Sequence, residues 1–294
     1  MSERIEETRC RKCGYNLRGL NTDSRCPECS TPIGLSNNGD LLRYSDPAWV
    51  TKLANGIGYV LYGVQACYVP VAFLSILSVI NFVSAQLIMV AVALGNLTGN
   101  ILILAGAWLL TEADPSGFGE DSYGTVRKTI RIALAAGLAN SFLGLPTQLM
   151  TLAPSTLLFI ELLHAVSQLF SLAGMAALFH YLSKLAKRIP DPGASWRAQL
   201  GTVLFTGGQA AWFVCVTDNQ IDRLRRAASA AIGVGRIQAI ISLVGLVDCF
   251  LFAFAMMLIW RFRRGFKEQA IIAKQIWAQA KAVAAAREGE IGSR

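Results

Sequence analysis

Four cysteines near the N-terminus are the residues of this sequence best placed to do chemistry. They form two C-x2-C pairs with twelve residues between the pairs, and they are Cys10, Cys13, Cys26 and Cys29. A tight turn aims both sulfurs of such a pair at one ion, so the spacing is typical of metal ligands rather than of disulfides. Four thiolates complete a closed tetrahedral shell, which predicts a structural zinc site.

The residue after each cysteine pair helps to determine the backbone conformation of the same turns. The backbone there tends to require a positive φ, which suits Gly14 because glycine has no Cβ. Ser30 occupies the matching place in the second pair, where we expect a less comfortable turn. The other cysteines lie in apolar runs and are interpreted as small apolar side chains: Cys67, Cys215 and Cys249.

Three segments of the first fifty residues resemble a family of uncharacterised bacterial multi-pass membrane proteins. They read CRKCGYNLRGL at 10–20, CPECS at 26–30 and LRYSDPAW at 42–49. In that family a ribbon of the form CxxCGYxLRGL…CPxCG precedes a helical membrane domain, and the resemblance implies the same order here. Asn16 and Ser30 depart from the commonest residues of the family, but neither is a metal ligand. The family implies no activity.

The same cysteine turns are similar to those of rubredoxin-like domains. That similarity raises iron as an alternative metal, because a site of four cysteine thiolates can hold either ion. Iron would imply electron transfer. No motif for binding an electron donor or acceptor accompanies the ribbon in the sequence, so we expect zinc.

The composition indicates which elements carry this site. Of 294 residues 53% are hydrophobic and only 16% are charged, and the mean hydropathy is +0.44. A soluble domain has about 25% charged residues, so a cytosolic enzyme and an intrinsically disordered chain are both disfavoured. The predicted fold class is an all-α integral membrane domain of about six transmembrane helices with a small N-terminal zinc ribbon.

Six apolar runs are each near the roughly 20 residues that a helix needs to cross a bilayer. They are 57–80, 85–110, 129–152, 156–182, 199–217 and 237–260. The run at 199–217 is short and contains the sequence Gly207-Gly208-Gln209, so a re-entrant or interfacial segment stays open there. The predicted organisation is a zinc ribbon at 1–35, a linker and interfacial helix at 36–56, the membrane domain at 57–260 and a basic amphipathic helix at 261–294.

Charge along the chain predicts the orientation in the membrane. The opening residues lack an apolar segment and predict no signal peptide, and the loops after the second and fourth runs carry Lys and Arg. These features predict that the protein lies in the inner membrane and that both of its termini are in the cytoplasm. Four arginines disagree with six crossings, because they would lie outside: Arg223, Arg225, Arg226 and Arg236.

The net charge of +8 is unevenly distributed, which bears on the partners. Residues 1–56 hold eight Lys and Arg against seven Asp and Glu, so nucleic-acid binding by the ribbon is not expected. Residues 261–294 hold eight against three. Lysines recur there every seven residues as a basic stripe, and apolar residues recur at three and four. This helix is interpreted as a support for the last span, a lipid-surface attachment, or a contact with a partner or a second copy.

Polar residues inside the apolar runs offer a second function class. Glu161 and His164 share one helical face, and Asp248 lies in the last run. Ionisable groups in a membrane often mark a pathway, so a carrier or channel is one alternative, beside a hydrogen-bonded structural pair. Asn96 and Asn100 also share a face, and there we expect close helix packing.

The sequence carries no Walker loop, GxSxG, HExxH or GxGxxG motif that would indicate an enzyme. The predicted function is therefore non-enzymatic: a membrane protein whose cytoplasmic zinc ribbon serves interaction with a protein partner, or regulation. The lipid bilayer is the other expected partner, and a homo-oligomer stays open.

Overall fold

The computed structural model describes five α-helices behind the cysteine-rich segment. They are α1 (Pro47–Val79), α2 (Ala85–Leu110), α3 (Glu120–Leu149), α4 (Pro154–Ala186) and α5 (Val234–Gly292), and two short 3-10 helices, Ile33–Asn37 and Leu42–Tyr44, precede them. The residues described are 8–22, 24–37, 41–79, 84–115, 120–149, 154–191, 193, 196–197, 199–201, 203, 207 and 234–292. Within those ranges the chain is helical and forms no strand, which confirms the predicted helical class.

Helix α1 begins where the Ser-Asp-Pro sequence places a helix start. The Asp46 carboxylate accepts a hydrogen bond from the Ala48 N–H at 2.7 Å, and Pro47 occupies the first turn, where its missing N–H costs nothing. The helix then continues without a break to Val79. The expected interfacial helix and the expected first span are therefore one element.

Helices α1 and α2 pack through glycines. A Cβ built on Gly63 would lie 2.6 Å from the carbonyl oxygen of Gly99, and one on Gly56 would lie 2.8 Å from that of Gly106. Cys67 Sγ lies directly over Gly99, so no side chain fits at that position. Small residues allow two backbones to approach this closely, as we expected for the segment around Asn96 and Asn100.

Two helical segments within the described residues are long and apolar enough to cross a membrane: Val90–Leu110 and Leu169–Ala186. They overlap the second and fourth predicted spans, so the described chain supports two spans rather than six. Of the other four predicted runs, three include residues outside the described set, and in the fourth, 237–260, most side chains lie outside it. The run at 199–217 lies almost entirely outside it, and so do the four arginines that disagree with six crossings, apart from the backbone of Arg236.

The last predicted span and the C-terminal amphipathic segment form the single helix α5, 59 residues long. The apolar face of its second half is covered by the chain itself, since Phe266, Ala273 and Trp277 are at most 5% exposed. Trp277 Nε1 donates a hydrogen bond to the Tyr44 carbonyl at 3.3 Å. Lys274, beside this buried face, is exposed. The apolar face of this segment therefore packs within the chain.

Candidate metal centre

The cysteine-rich segment folds into two similar turns. Each turn closes on a short antiparallel pairing, Arg9 with Asn16 and Arg25 with Pro32. In the first, the Cys10 carbonyl accepts the Gly14 N–H at 2.8 Å. The corresponding bond in the second joins the Ser30 N–H to the Cys26 carbonyl at 2.9 Å. This repeated pattern brings the second cysteine of each turn back beside the first.

The backbone after each cysteine pair is left-handed, as predicted. Gly14 has a φ of +74° and Ser30 a φ of +56°, and Ser30 is the only non-glycine residue with a positive φ in the described chain. An L residue in this region costs about 1–2 kcal/mol, because its Cβ crowds the following carbonyl oxygen. Ser30 therefore carries a strain that Gly14 does not.

The four sulfurs lie close enough together to share one ion. All four Sγ atoms are within 4.8 Å of one another, with 3.5 Å from Cys10 to Cys29 and 3.6 Å from Cys13 to Cys26. A tetrahedral ion with metal–sulfur bonds of about 2.3 Å separates its ligands by about 3.8 Å. The cysteine cluster is thus confirmed as a possible metal site, and its chemistry fits zinc. The geometry suits iron equally, so the identity of the metal stays a prediction.

The protein environment treats these thiols differently. Burial raises the pKa of Cys10 well above its usual range, and it also raises the pKa of Cys13. Burial acts in the same direction on Cys29, but hydrogen bonds from the Thr31 hydroxyl and N–H outweigh it and lower that pKa to about 7. Cys29 Sγ and Thr31 Oγ1 lie 3.2 Å apart. A bound cation would supply the charge that stabilises the remaining thiolates.

The hydrophobic core of the cysteine-rich segment is small. It consists of two ligand side chains, Cys10 and Cys26, with Leu17 and Ile33, and Leu20 packs against it. Burial of so few side chains contributes too little free energy to stabilise a fold alone. A bound metal ion would therefore contribute directly to folding.

One side of this segment is buried against the ends of the long helices. Arg11, between two of the cysteines, is 1% exposed, and its N–H donates to Ser36 Oγ at 3.2 Å. Its guanidinium Nη1 lies 3.5 Å from Ser45 Oγ, directly before α1. Gly14 contacts the loop after α2, where a Cβ would lie 3.3 Å from the Pro115 carbonyl oxygen.

A second guanidinium completes this junction from the end of α4. Arg188 Nη2 donates to Ser45 Oγ at 3.1 Å and to Asp114 Oδ2 at 2.9 Å, and the Asp114 side chain is only 1% exposed. The Arg188 carbonyl accepts the Leu42 N–H at 3.0 Å, and its guanidinium lies 5.2 Å from the centroid of the Trp49 ring. We call Arg11, Ser45, Asp114 and Arg188 the arginine cluster.

Sequence reasoning did not find the arginine cluster. Arg11 lies between Cys10 and Cys13, a place where an exposed side chain is the ordinary expectation, and the position of Arg188 in the loop after the fourth run predicts no more than a contribution to membrane orientation. The four residues are spread over almost 180 positions of the chain. No local pattern relates them, because only the packing of the helix ends brings them together.

Other predicted polar positions have different outcomes. Asn100 Nδ2 donates to the Asn96 carbonyl at 2.9 Å and to Ser141 Oγ at 3.0 Å, so this amide links α2 to α3. The side chains of Glu161, His164 and Asp248 lie outside the described residues. The carrier hypothesis built on those three therefore stays untested.

Comparison with known proteins adds no relative to these observations. No protein-family model matches the chain, and neither a curated protein nor a solved structure matches it.

Proposed function

We propose that this chain is a non-enzymatic bacterial inner-membrane protein whose cytoplasmic zinc ribbon presents a fixed surface to a protein partner. The observation that carries the proposal is the two-sided placement of the cysteine-rich segment. Arg11 and the Gly14 backbone hold one side against the helix ends, while the other side is open to solvent. A surface ordered before binding loses little conformational entropy when a partner docks.

The exposed side of the ribbon has the composition of an interaction surface. Tyr15 is 41% exposed although it is large and partly apolar. Three charged residues of the same segment are also exposed, and they are Lys12, Arg18 and Glu28. An exposed aromatic side chain is a residue type enriched at the centre of protein interfaces, and charged residues are typical of their rim.

The proposed membrane topology has six crossings with both termini in the cytoplasm. It is supported by the arrangement of the helix ends, because Trp49 at the start of α1 donates to the Glu112 carbonyl after α2 at 3.2 Å. Arg131, in the first half of α3, donates to Thr111 at 2.8 Å. The end of α4 joins the same region through Arg188. Helices that alternate in direction and gather arginines at one end fit the preference of positive charge for the cytoplasmic side.

The metal is proposed to be zinc in a structural role. Elemental analysis of the purified full-length protein, with its visible spectrum, tests this. One equivalent of zinc and no colour is the expected result. One equivalent of iron with a red oxidised form would replace the docking function with electron transfer.

The docking function is tested by removing the exposed surface without touching the ligands. The double variant Tyr15→Ala, Arg18→Ala is compared with the wild type by cross-linking in cells and purification. Arg264→Ala is the matched control, since its side chain is 68% exposed and belongs to α5 rather than to the ribbon. We expect the double variant to lose cross-linked proteins that the control retains. An unchanged set of cross-linked proteins, with zinc still bound, would contradict the proposal.

A further inference from the structure

We infer that metal binding at the four cysteines orders the cytoplasmic ends of α2 and α4. The contacts that transmit this effect are those of the arginine cluster, beginning with Arg11. This inference rests on the proposed metal site and adds regulation to it: loss of the ion would be transmitted to the helices that run into the bilayer. Its chemical input is a divalent cation, and its output is the order of the helix ends.

The first step of the coupling is the position of Arg11 in the metal-binding turn. Cys10 and Cys13 flank the segment that contains it, so the path of its backbone depends on both sulfurs holding one ion. The Arg11 N–H donates a hydrogen bond to Ser36 Oγ, and the side chain is buried and reaches Ser45 Oγ. A change in the conformation of this turn would therefore displace neighbouring protein atoms rather than water.

The second step is the convergence of two guanidinium groups on one hydroxyl. Arg11 and Arg188 both approach Ser45 Oγ, at 3.5 and 3.1 Å. Arg188 is also paired with the buried carboxylate of Asp114, on the loop after α2. Buried charges keep their partners because an unpaired charge in such a place is costly. If Arg11 moved, the side chains of Ser45 and Arg188 would therefore have to rearrange as well.

The third step carries the change into α4. The amides at its end are held by short-range bonds, such as Arg188 N–H to the Leu185 carbonyl at 3.0 Å and Ile189 N–H to the Ala186 carbonyl at 3.1 Å. The Arg188 carbonyl in turn accepts the Leu42 N–H from the segment between the ribbon and α1. Helix ends open locally before the rest of a fold, so their amides report a lost contact directly.

Hydrogen exchange measured by mass spectrometry on the full-length protein in lipid nanodiscs tests the inference. Removal of the metal with a chelator should speed exchange roughly tenfold in peptides covering 111–115 and 184–190, the size expected for loss of a buried hydrogen bond. Arg11→Met should give the same increase at 184–190 while retaining one equivalent of metal. Lys12→Met is the matched control, since it changes an exposed neighbour in the same turn and should leave exchange unchanged.

A second variant keeps the test decisive if Arg11→Met disturbs the ribbon. Ser45→Ala removes the hydroxyl shared by the two guanidinium groups and lies outside the metal-binding turns. It should also speed exchange at 184–190 with the metal retained. Increased exchange confined to residues 8–37 after chelation, or unchanged exchange at 184–190 in Ser45→Ala, would overturn the inference and leave the docking proposal standing. Absence of any bound metal in the wild type would overturn both.

Discussion

The substitution Gly14→Ala is expected to weaken metal binding by about five- to tenfold. Gly14 has a φ of +74°, and the added Cβ would cost about 1–2 kcal/mol in this left-handed conformation. Alanine also restricts the unfolded chain, which returns about 0.4–1 kcal/mol. The net cost is about 1 kcal/mol, and since folding of this segment is coupled to metal binding, it corresponds to roughly fivefold in affinity.

Packing adds to that backbone cost. The new Cβ would lie 3.3 Å from the Pro115 carbonyl oxygen, closer than ordinary van der Waals contact. The loop after α2 or the metal-binding turn must therefore give way by a few tenths of an ångström. This contact moves the expected loss toward tenfold.

Competition with a chromophoric zinc chelator on the purified full-length protein measures the change in affinity. Gly19→Ala is the matched control, because Gly19 has a φ of +78° but no atom within 4 Å of its added Cβ. It should show the backbone cost alone. Ser30→Gly should act in the opposite direction, with an affinity between unchanged and about fivefold tighter, since it relieves strain but frees the unfolded chain. An affinity for Gly14→Ala equal to that of the wild type would refute this reasoning.

Three further predictions concern the pH dependence of the site, the helix pair α1–α2 and the α5 tail. Metal affinity should fall as pH is lowered from about 8 to 6, because burial raises the pKa of thiols that must lose their protons to bind, as competition titrations at several pH values would show. Gly99→Ala should destabilise the protein by about 1–3 kcal/mol in thermal unfolding, since its Cβ would overlap Cys67 Sγ. Trp277→Ala removes a side chain that is 5% exposed and should make the tail of α5 sensitive to limited proteolysis.

The two substitutions have matched controls within the chain. Gly124→Ala places a methyl group in open space on α3 and should be neutral or slightly stabilising, so equal losses in Gly124→Ala and Gly99→Ala would contradict the packing argument. Ile271→Ala changes a side chain that is 57% exposed on α5 and should leave proteolysis unchanged. An affinity independent of pH would show that the bound metal displaces no protons.

The cysteine cluster was predictable because the pattern that specifies it is local in the sequence. Two C-x2-C pairs specify their own turns, and Gly14 and Ser30 identify the left-handed positions without any knowledge of the helices. Helical character was likewise predictable from apolar runs, and two of the predicted spans overlap the candidate spans Val90–Leu110 and Leu169–Ala186.

What the sequence did not predict depends on contacts between distant segments. The burial of Arg11 requires the ends of α2 and α4 to meet above the first residues of α1, and hydropathy carries no information about that meeting. Similarly, the face of α5 around Phe266 and Trp277 could have faced lipid or a partner on pattern alone. The sequence also did not predict that one helix continues from Pro47 into the first span. The predicted start of that span at residue 57 reflects a change in polarity and not a helix-breaking residue.

The uninterrupted path of α5 determines how its outer end is presented. Trp277 is anchored to the Tyr44 carbonyl, and the helix continues for fifteen residues to Gly292, about 22 Å at 1.5 Å per residue. Deleting one residue after Trp277 would shorten this rod by only about 1.5 Å but turn everything beyond it by about 100°, whereas deleting seven would nearly restore the original direction. A change in the length of α5 after Trp277 therefore alters the direction in which its last residues face much more than it alters their distance from the rest of the protein.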